Sequence, residues 1–405
     1  MKIAIPVSDL IDTNGGGYTF ESQLLEEILR LSAYSSHEFV LFTSNPQKSN
    51  YFLNTSVQVI STDRSFITKV YSYLAIKFKK LTCKLLKLTF PFPYQTNYKI
   101  HINRLLQDHK IDIVLSLAPI CFNEVDCPYI TPIWDLAHRT HPYFPEVSSH
   151  GQWEEREMYY TKVIRRAAFI VTGTEIGKAE VEKLYQVSSD RIKVIPFFTP
   201  KLQSNPILTN QDVIKKYHIP KQYLFYPAQF WAHKNHSSIL LALQILKNDY
   251  GLNMPLVLAG SDKGNLSYVK SMVKNLELTD NVYFLGFVPQ EDLFPLYNQA
   301  FALIYMTFFG PDNLPPLEAM SASCPVIASN VSGASEQLGN AALIVDHSNP
   351  QEIAKAIKLL YDDSILRNSL IERGLVRANQ WKVEDYAREL LKLVDEFQSI
   401  RSCWK

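Results

Sequence analysis

The chain has 405 residues, with 41 Lys and Arg against 40 Asp and Glu, a formal net charge of +1 and 46% apolar residues. This length exceeds what one hydrophobic core usually organises, so we expect two domains. The composition excludes a disordered chain, the balanced charge excludes a global attraction to nucleic acid, and no apolar run reaches the roughly 18 residues of a membrane span.

The N-terminal stretch MKIAIPVSD predicts a short strand and lacks the long apolar region of a signal peptide. Five cysteines are scattered along the chain without a C-x-x-C pair, at positions 83, 121, 127, 324 and 403. This usage is typical of reduced thiols in a cytosolic protein, and it predicts neither a disulfide framework nor a metal site.

Short apolar runs rich in β-branched residues recur along the chain, separated by amphipathic helical patterns. In the first half they cover residues 2–7, 38–43, 57–61, 111–117, 129–133 and 169–172. In the second half they cover residues 223–228, 255–259, 282–285, 302–306, 325–328 and 342–345. Strands alternating with helices predict parallel, doubly wound sheets, and two such series predict two Rossmann-like domains.

The boundary between the domains is predicted near PFFTPKLQSNPILTN (196–210), which is rich in Pro, Ser, Thr and Asn. We therefore divide the chain into a first domain (1–200), a second domain (201–380) and a terminal segment (381–405). This last segment carries apolar residues at 383, 386, 390, 391 and 394, a spacing that predicts a helix.

A glycine-rich loop follows the first strand, in DTNGGGYTFESQLLEEILRL (12–31). Gly15, Gly16 and Gly17 let the backbone approach a ligand, and the helix that follows offers free N–H groups to an anion. The pattern is not G-x-G-x-x-G, which disfavours an NAD oxidoreductase. The alternative is a flexible turn without a ligand.

Three polar clusters follow other strands, in IWDLAHRTHPYFPE (133–146), YPAQFWAHKNHSS (226–238) and MTFFGPDNLPPLEAM (306–320). A single histidine in such a cluster is more often structural than functional. Because ligands bind at the carboxyl ends of parallel strands, however, clusters in both halves predict one cleft between the two domains.

The residue types in these clusters favour a nucleotide sugar. Lys234 can neutralise a phosphate, and a helix starting near Leu314 adds a partial positive charge. Glu318, one turn into that helix, can accept hydrogen bonds from ribose hydroxyls. The alternative is that Asp312 or Asn313 caps the helix and Glu318 faces solvent.

The second half resembles the family 4 retaining glycosyltransferases, which have the two-domain GT-B fold. The resembling stretches include YPAQFWAHKNH, LVLAGSDKG and GPDNLPPLEAMSASCPVIASNVSGASEQLGNAALIVD, and the resemblance covers roughly residues 130–398. It implies two Rossmann-like domains facing each other across a cleft, with an acceptor on the first and a nucleotide sugar on the second. It also implies that the last helix crosses back to the first domain.

The resemblance implies sugar transfer with retention, without a metal or a further cofactor. Glu318 matches the glutamate that contacts the donor ribose, and Lys234 matches the phosphate-binding lysine. Gly310 stands where the family has a second glutamate, and Gln229 stands where it has an arginine. Both departures fit a branch of bacterial polysaccharide glycosyltransferases.

In that branch Asp312 and Asn313 are predicted to contact the sugar, and Arg139 or His233 to supply the missing positive charge. The family's His-Asp pair reads Trp134-Asp135 here, which makes His138 the candidate catalytic histidine. The remaining expected donor-binding positions are Gln229, Leu314 and Gly15 to Gly17. Lys234 and the backbone N–H groups of the glycine loop and Leu314 would stabilise the leaving diphosphate.

The predicted function is transfer of a hexose, with mannose favoured, from GDP-mannose or a UDP-hexose to a glycan or lipid-linked saccharide in surface polysaccharide biosynthesis. One alternative is an inactive relative that binds a nucleotide or acts as a scaffold. A GT-B epimerase or phosphorylase is a further alternative.

A basic segment occupies residues 64–88 of the first domain, where seven basic residues interleave with apolar ones and no acid occurs. Such a segment can lie on anionic lipid, and Lys77, Lys79 and Lys80 are its candidate contacts. We therefore expect a cytoplasmic protein that associates peripherally with the inner membrane face. The alternative is a core helix with a solvated lysine face.

Overall fold

The computed structural model describes residues 1–7, 15–44, 57–63, 94–119, 125–202 and 210–404. Its strands are β1 (Lys2–Val7), β2 (Glu38–Thr43), β3 (Gln58–Ser61), β4 (Ile113–Leu115), β5 (Tyr129–Pro132), β6 (Phe169–Thr172), β7 (Ile192–Val194), β8 (Leu224–Pro227), β9 (Leu256–Ala259), β10 (Val282–Gly286), β11 (Ala302–Tyr305), β12 (Val326–Ser329) and β13 (Ala342–Val345).

The helices are α1 (Gly16–Ser32), α2 (Tyr94–Asp108), α3 (Ala137–Thr140), α4 (Pro145–Ser148), α5 (Gln152–Arg166), α6 (Glu175–Tyr185), α7 (Asn210–Tyr217), α8 (His236–Tyr250), α9 (Leu266–Asn275), α10 (Gln290–Gln299), α11 (Leu314–Ser321), α12 (Ala334–Leu338), α13 (Pro350–Asp362), α14 (Ser364–Asn379) and α15 (Val383–Arg401). Short 3₁₀ turns cover Ser149–Gly151, Ser189–Arg191 and Ala232–Lys234.

The strands form two parallel sheets. Among the described residues, the first has seven strands in the order β3-β2-β1-β4-β5-β6-β7, and the second has six in the order β10-β9-β8-β11-β12-β13. The strand order reverses direction between β1 and β4 in one sheet and between β8 and β11 in the other. The predicted pair of doubly wound domains is confirmed, and ligand sites are expected at these two switch points.

The sequence missed one strand of the first sheet. Strand β7 has only three residues, and it pairs with β6 from Ile170 opposite Ile192 to Thr172 opposite Val194. An apolar run this short, next to the polar stretch between the domains, has too few residues to establish a period.

Both faces of the first sheet are buried, as expected of a parallel sheet. Ile3 and Ile5 pack into the core on one face, whereas Ala4 and Val40 pack into the core on the other. The second sheet lies within a separate core built from β8 to β13 and their helices. Each domain therefore has its own hydrophobic interior, and side chains at the strand ends are left for the space between them.

The last helix belongs to the core of the first domain. On α15, Tyr386 packs edge-on against Phe20 of α1, with ring centroids 5.3 Å apart, and Leu390 and Val394 are buried in the same cluster. The predicted return of this helix is confirmed. The exact boundaries 1–200, 201–380 and 381–405 stay a prediction.

In the described part of the chain, none of the helices is both long enough and apolar enough to cross a bilayer.

Candidate active site

A cleft of about 360 Å³ opens between the two domains at the switch points of both sheets. The first domain contributes Gly15, Gly16, Gly17, Phe20, Trp134, Asp135 and Phe197 to its lining. The second domain contributes Pro227, Ala228, Gln229, Trp231, His233, Lys234, Tyr305, Phe309, Gly310, Asp312, Asn313, Leu314 and Pro315. The three polar clusters and the glycine loop therefore do meet in one place.

Lys234 enters the cleft from the 3₁₀ turn that follows β8. The turn ends at Asn235, whose φ of 52° places it in the left-handed region and whose side chain accepts from the Ser238 N–H at the start of α8. The Lys234 Nζ donates to the Tyr305 hydroxyl over 2.9 Å. The predicted phosphate-binding lysine thus has a fixed direction set by a tyrosine at the end of β11.

Tyr305 also donates a hydrogen bond to Asn313, the residue before α11. Because the lysine ammonium can only donate, the Tyr305 hydroxyl accepts from it and donates to Asn313 Oδ1, over 3.0 Å. This fixes the orientation of the Asn313 amide, whose Nδ2 donates to the Gly310 carbonyl over 2.8 Å. Lys234, Tyr305, Asn313 and Gly310 form one hydrogen-bonded chain across the cleft wall.

Gly310 occupies its position because the backbone there favours glycine. Its φ is +117°, and a Cβ at this residue would lie 3.1 Å from Asn313 Oδ1. The place of the family's glutamate is thus taken by a turn without a side chain, and the amide of Asn313 packs against it.

The first turn of α11 is held in place by Gln337. The Asn313 N–H donates to Gln337 Oε1 over 3.1 Å, and Gln337 Nε2 donates to the Asn313 carbonyl over 3.0 Å. Pro315 falls within the first turn, where a missing N–H costs nothing. The N-terminus of α11 therefore faces the cleft in a defined orientation, with Leu314 at its wall.

The glycine loop lies opposite this helix end. Gly15, with a φ of 77°, immediately precedes α1, and a Cβ on Gly16 would lie 3.3 Å from the Leu314 side chain. Two helix N-termini, one from each domain, thus meet across the cleft.

Glu318 is buried one turn behind the cleft lining. Tyr297 donates to its Oε2 over 2.7 Å, and burial raises the Glu318 pKa to about 6 despite this hydrogen bond. The carboxyl group is not part of the surface that lines the cleft, so its contact with a ribose stays a prediction.

Asp312 reaches across to the first domain. Its carboxylate lies on Gly173, just after β6, so closely that a Cβ at that position would overlap it. It lines both the cleft and a smaller neighbouring cavity of about 190 Å³. Burial, and next the charge of Glu336, raise the Asp312 pKa to about 7.

His138 and Arg139 do not reach the cleft, which corrects two expectations. His138 lies on the short helix α3, where its side chain is fully buried, with Nε2 3.1 Å from the Tyr185 hydroxyl. Arg139 forms an ion pair with Glu157 and donates to the Leu184 carbonyl over 3.0 Å. Neither residue is placed to touch a ligand in the cleft or to neutralise a phosphate there.

His233 lines the cleft, but it does not carry the expected positive charge. Burial lowers its pKa to about 4, so the ring is neutral at pH 7. Its backbone N–H donates to Glu146 Oε1 over 2.8 Å, and its Nδ1 contacts the same oxygen. Glu146, on α4 of the first domain, thus ties the two domains together beside Lys234.

Asp135 is a cleft residue that the sequence did not single out as a site residue. Its Oδ1 accepts from Arg156 over 2.5 Å and from the Ala137 N–H over 2.8 Å. Burial raises its pKa, but Arg156 and the hydrogen bond from Ala137 outweigh burial and hold it below the usual value. The sequence feature that could have identified Asp135 is its position directly after a strand, next to Trp134, which also lines the cleft.

Gln229 lines the cleft with its amide held at both ends. Trp231 Nε1 donates to Gln229 Oε1 over 3.0 Å, and Gln229 Nε2 donates to the Ser261 hydroxyl over 3.3 Å. A neutral amide therefore stands in the place of the family's arginine. The membrane-surface candidates Lys77, Lys79 and Lys80 lie outside the described residues.

Residues 210–377 match the family model described as glycosyl transferases group 1. O-antigen chain mannosyltransferase B of Escherichia coli is 29% identical over 225 residues, covering 54% of this chain and 58% of the relative. O-antigen chain mannosyltransferase RfbU of Salmonella typhimurium is 31% identical over 195 residues, covering 48% of this chain and 51% of the relative.

The chain spans about half the length of the curated relatives that it matches. Among solved structures, Anabaena Alr3699/HepE in complex with UDP and glucose superposes with a TM-score of 0.69, at 14% identity, over 98% of this chain and 100% of that one. At this identity the likeness shows the fold alone, and that fold agrees with the two facing sheets described above.

Proposed function

We propose that this chain is a GT-B glycosyltransferase of group 1 and that it transfers a hexose from a nucleotide-sugar donor to a saccharide acceptor in surface polysaccharide biosynthesis. The observation that carries the proposal is the convergence of Lys234 with the N-termini of α1 and α11 on one cleft. A diphosphate is the donor group that such a set of charges and free N–H groups suits.

In the proposed reaction, the bond between the sugar C1 and the diphosphate oxygen breaks while the acceptor oxygen bonds to C1. Negative charge then grows on the leaving diphosphate. Lys234 and the N–H groups at Gly15 to Gly17 and Leu314 stabilise it, and such preorganised groups usually supply the largest part of a rate enhancement. The acceptor hydroxyl attacks from the face that the diphosphate leaves and passes its proton to the departing diphosphate oxygen, so the anomeric configuration is retained. In this proposal Lys234 and the N–H groups neutralise the diphosphate in place of a metal ion.

The sugar is proposed to be recognised by Asn313, with Asp312 near it. The Asn313 amide is oriented by Tyr305 and has a second Nδ2 hydrogen free for a sugar hydroxyl. The Asp312 carboxyl group packs against Gly173 of the first domain. It is therefore proposed to contact only the side of the sugar that faces the boundary between the two domains. Gln229 offers no charge, which leaves Lys234 as the proposed cation for the phosphates.

GDP-mannose is the proposed donor, with a UDP-hexose second. The mannose assignment rests on the names of the two O-antigen mannosyltransferase relatives. The UDP-hexose assignment rests on the UDP and glucose named in the Alr3699/HepE complex. A glycan or a lipid-linked saccharide is the proposed acceptor.

An inactive nucleotide-binding relative or scaffold is the second candidate. It is favoured by the absence of a carboxylate at Gly310 and of a cation at Gln229. Incubation with a panel of GDP and UDP sugars and an oligosaccharide acceptor separates the two candidates. Nucleotide release above the no-protein control is expected, with the product's anomeric configuration read by NMR. A nucleotide that raises the melting temperature without any release would favour the inactive binder.

Association with anionic lipid at residues 64–88 is part of the proposal, on a cytoplasmic protein that meets its acceptor at the inner membrane face. Replacement of Lys77, Lys79 and Lys80 by Glu is expected to abolish sedimentation with phosphatidylserine-containing liposomes. The same triple change at Lys215, Lys221 and Lys355, which are exposed lysines of the second domain, serves as the charge-matched control. Unchanged sedimentation of the first variant would remove the lipid assignment.

A further inference from the structure

A ladder of aromatic rings runs from the cleft to the surface of the first domain. It consists of His141, Tyr143, Phe144, Phe308 and Phe309, which we name the rim cluster. Ring centroids are 5.2 Å apart for Phe144 and Phe308, 5.4 Å for His141 and Phe309, and 6.0 Å for His141 and Tyr143. The cluster joins a loop of the first domain to the loop that precedes Asn313 in the second.

The two ends of the rim cluster differ in exposure. Phe309 lines the cleft, whereas the Tyr143 side chain is 72% exposed. A large ring left in water at the mouth of a cleft costs hydrophobic stabilisation that a ligand can recover. The exposed face of Tyr143 is therefore continuous, through His141 and Phe309, with the site proposed for sugar transfer.

The loop that carries Tyr143 is anchored on both sides. Glu146 accepts from the His233 N–H of the second domain, and Asp135 is held by Arg156 at the other end of the loop. A ligand that stacks on Tyr143 would thus meet a preorganised surface, so less binding energy would be lost in ordering it.

The chemistry of the rim cluster suits a pyranose ring. One face of such a ring presents C–H groups that pack on an aromatic face, while its hydroxyl groups point outward to polar neighbours. Burial, followed by the charge of His347, lowers the His141 pKa. The His141 Nδ1 lies 2.9 Å from the Thr140 hydroxyl, so Nε2 is the ring nitrogen that can face a saccharide hydroxyl. Tyr143 adds its own hydroxyl at the edge of the ring.

We propose that the rim cluster is the acceptor subsite, and that a hexose residue of the acceptor saccharide stacks on Tyr143 while the next residue reaches the cleft past Phe309. This inference rests on the proposed function, since it names the second substrate of the same site. The donor is proposed to lie deeper, beside Lys234 and Asn313, so the two substrates would enter from opposite ends of the cleft wall.

The test compares Tyr143→Ala with Tyr143→Phe, and with Tyr34→Ala as the control. Tyr34 is also in the first domain and is 86% exposed, but it lies outside the rim cluster. Saturation-transfer NMR with methyl α-mannopyranoside and an α-linked mannotriose reports ring contact without any need for turnover. We expect saturation transfer to the C–H protons of the saccharide ring in the wild type, Tyr143→Phe and Tyr34→Ala. This saturation transfer should be lost in Tyr143→Ala.

Kinetics give a second readout. Tyr143→Ala is expected to raise the acceptor KM by about tenfold, whereas Tyr34→Ala is expected to keep the wild-type KM. Saccharide contacts without nucleotide release would leave the subsite standing and overturn the proposed transferase activity instead. Wild-type saccharide contacts in Tyr143→Ala, or no saccharide contacts in the wild type, would overturn the subsite. Loss of liposome binding in Tyr143→Ala, with its saccharide contacts intact, would also overturn it.

Discussion

The Asn313 side chain donates a hydrogen bond to the Gly310 carbonyl, over 2.8 Å, at the position where the sequence resemblance implies a carboxylate. The position of the missing carboxylate is therefore filled by the Asn313 amide. The Asn313 amide packs against the turn at Gly310, and the hydrogen bond from Tyr305 fixes its orientation. In sugar transfer, the neutral Asn313 amide, which both donates and accepts hydrogen bonds, would then replace a carboxylate, which only accepts them.

Lys234→Ala tests the stabilisation of the leaving diphosphate. Loss of this charge is expected to lower kcat by roughly 100-fold, because no other cation lines the cleft in the described parts of the chain. Lys215→Ala, at an exposed position on α7, is the matched control and should retain full activity. Steady-state rates of nucleotide release measure both, and wild-type kcat in Lys234→Ala would remove the lysine from the mechanism.

Tyr305→Phe tests the hydrogen-bonded chain between Lys234 and Asn313. The change keeps the ring and removes the hydroxyl that accepts from one residue and donates to the other. Loss of two hydrogen bonds in a partly buried site is expected to lower kcat/KM by about five- to thirtyfold. The melting temperature should change by only a few degrees. Equal kcat/KM in the variant and the wild type would show that Asn313 and Lys234 are held without Tyr305.

Gly310→Glu asks whether the family's carboxylate can be restored. We expect no gain in activity and a loss of about 1–3 kcal/mol in the free energy of unfolding, because the φ of +117° disfavours any side chain. Gly310→Ala separates the backbone effect from the carboxylate and should be destabilised by a similar amount. Chemical denaturation measures both, and a more active Gly310→Glu would mean that the loop can adopt the family's geometry.

The sequence predicted the location of this site better than its chemistry. The strand ends were readable because apolar β-branched runs stop where polar clusters begin, and parallel topology then brings Lys234, Asp312 and the glycine loop together. The orientation of each side chain was not readable in this way. Asp135 and His138 are three residues apart, yet one lines the cleft and the other points into the core, because α3 begins between them.

The same limit applies to charge. A histidine or arginine in a polar cluster looks available in the sequence, but His233 is neutralised by burial and Arg139 is already paired with Glu157. Partners such as Glu146 and Glu157 lie between 18 and 87 positions away along the chain, so only the fold reveals them.

Gly173→Ala tests the close packing of Asp312 against the first domain. The added Cβ would overlap the carboxylate, so we expect lower stability or a more open cleft. The double variant Gly173→Ala/Asp312→Ala should recover much of the loss, because the second change removes the overlapping atoms. Melting temperatures of the four proteins form a double-mutant cycle. Additive losses would show that the two residues do not share this contact.

The Asp312 carboxyl group should make stability depend on pH. Its pKa is about 7 in the folded protein against an ordinary value of 3.8, so the folded state holds a proton that the unfolded state releases. This contribution is fully present below pH 3.8 and is lost as the pH rises towards 7. Asp312→Asn has no such proton, so its stability relative to the wild type should increase between these two values and level off above them. Denaturant titrations at several pH values measure the difference in the free energy of unfolding between the two proteins. Glu318, whose pKa is raised in the same direction, is present in both, so its contribution cancels from the difference. A difference between the two proteins that does not vary with pH would show that Asp312 ionises normally in the folded state.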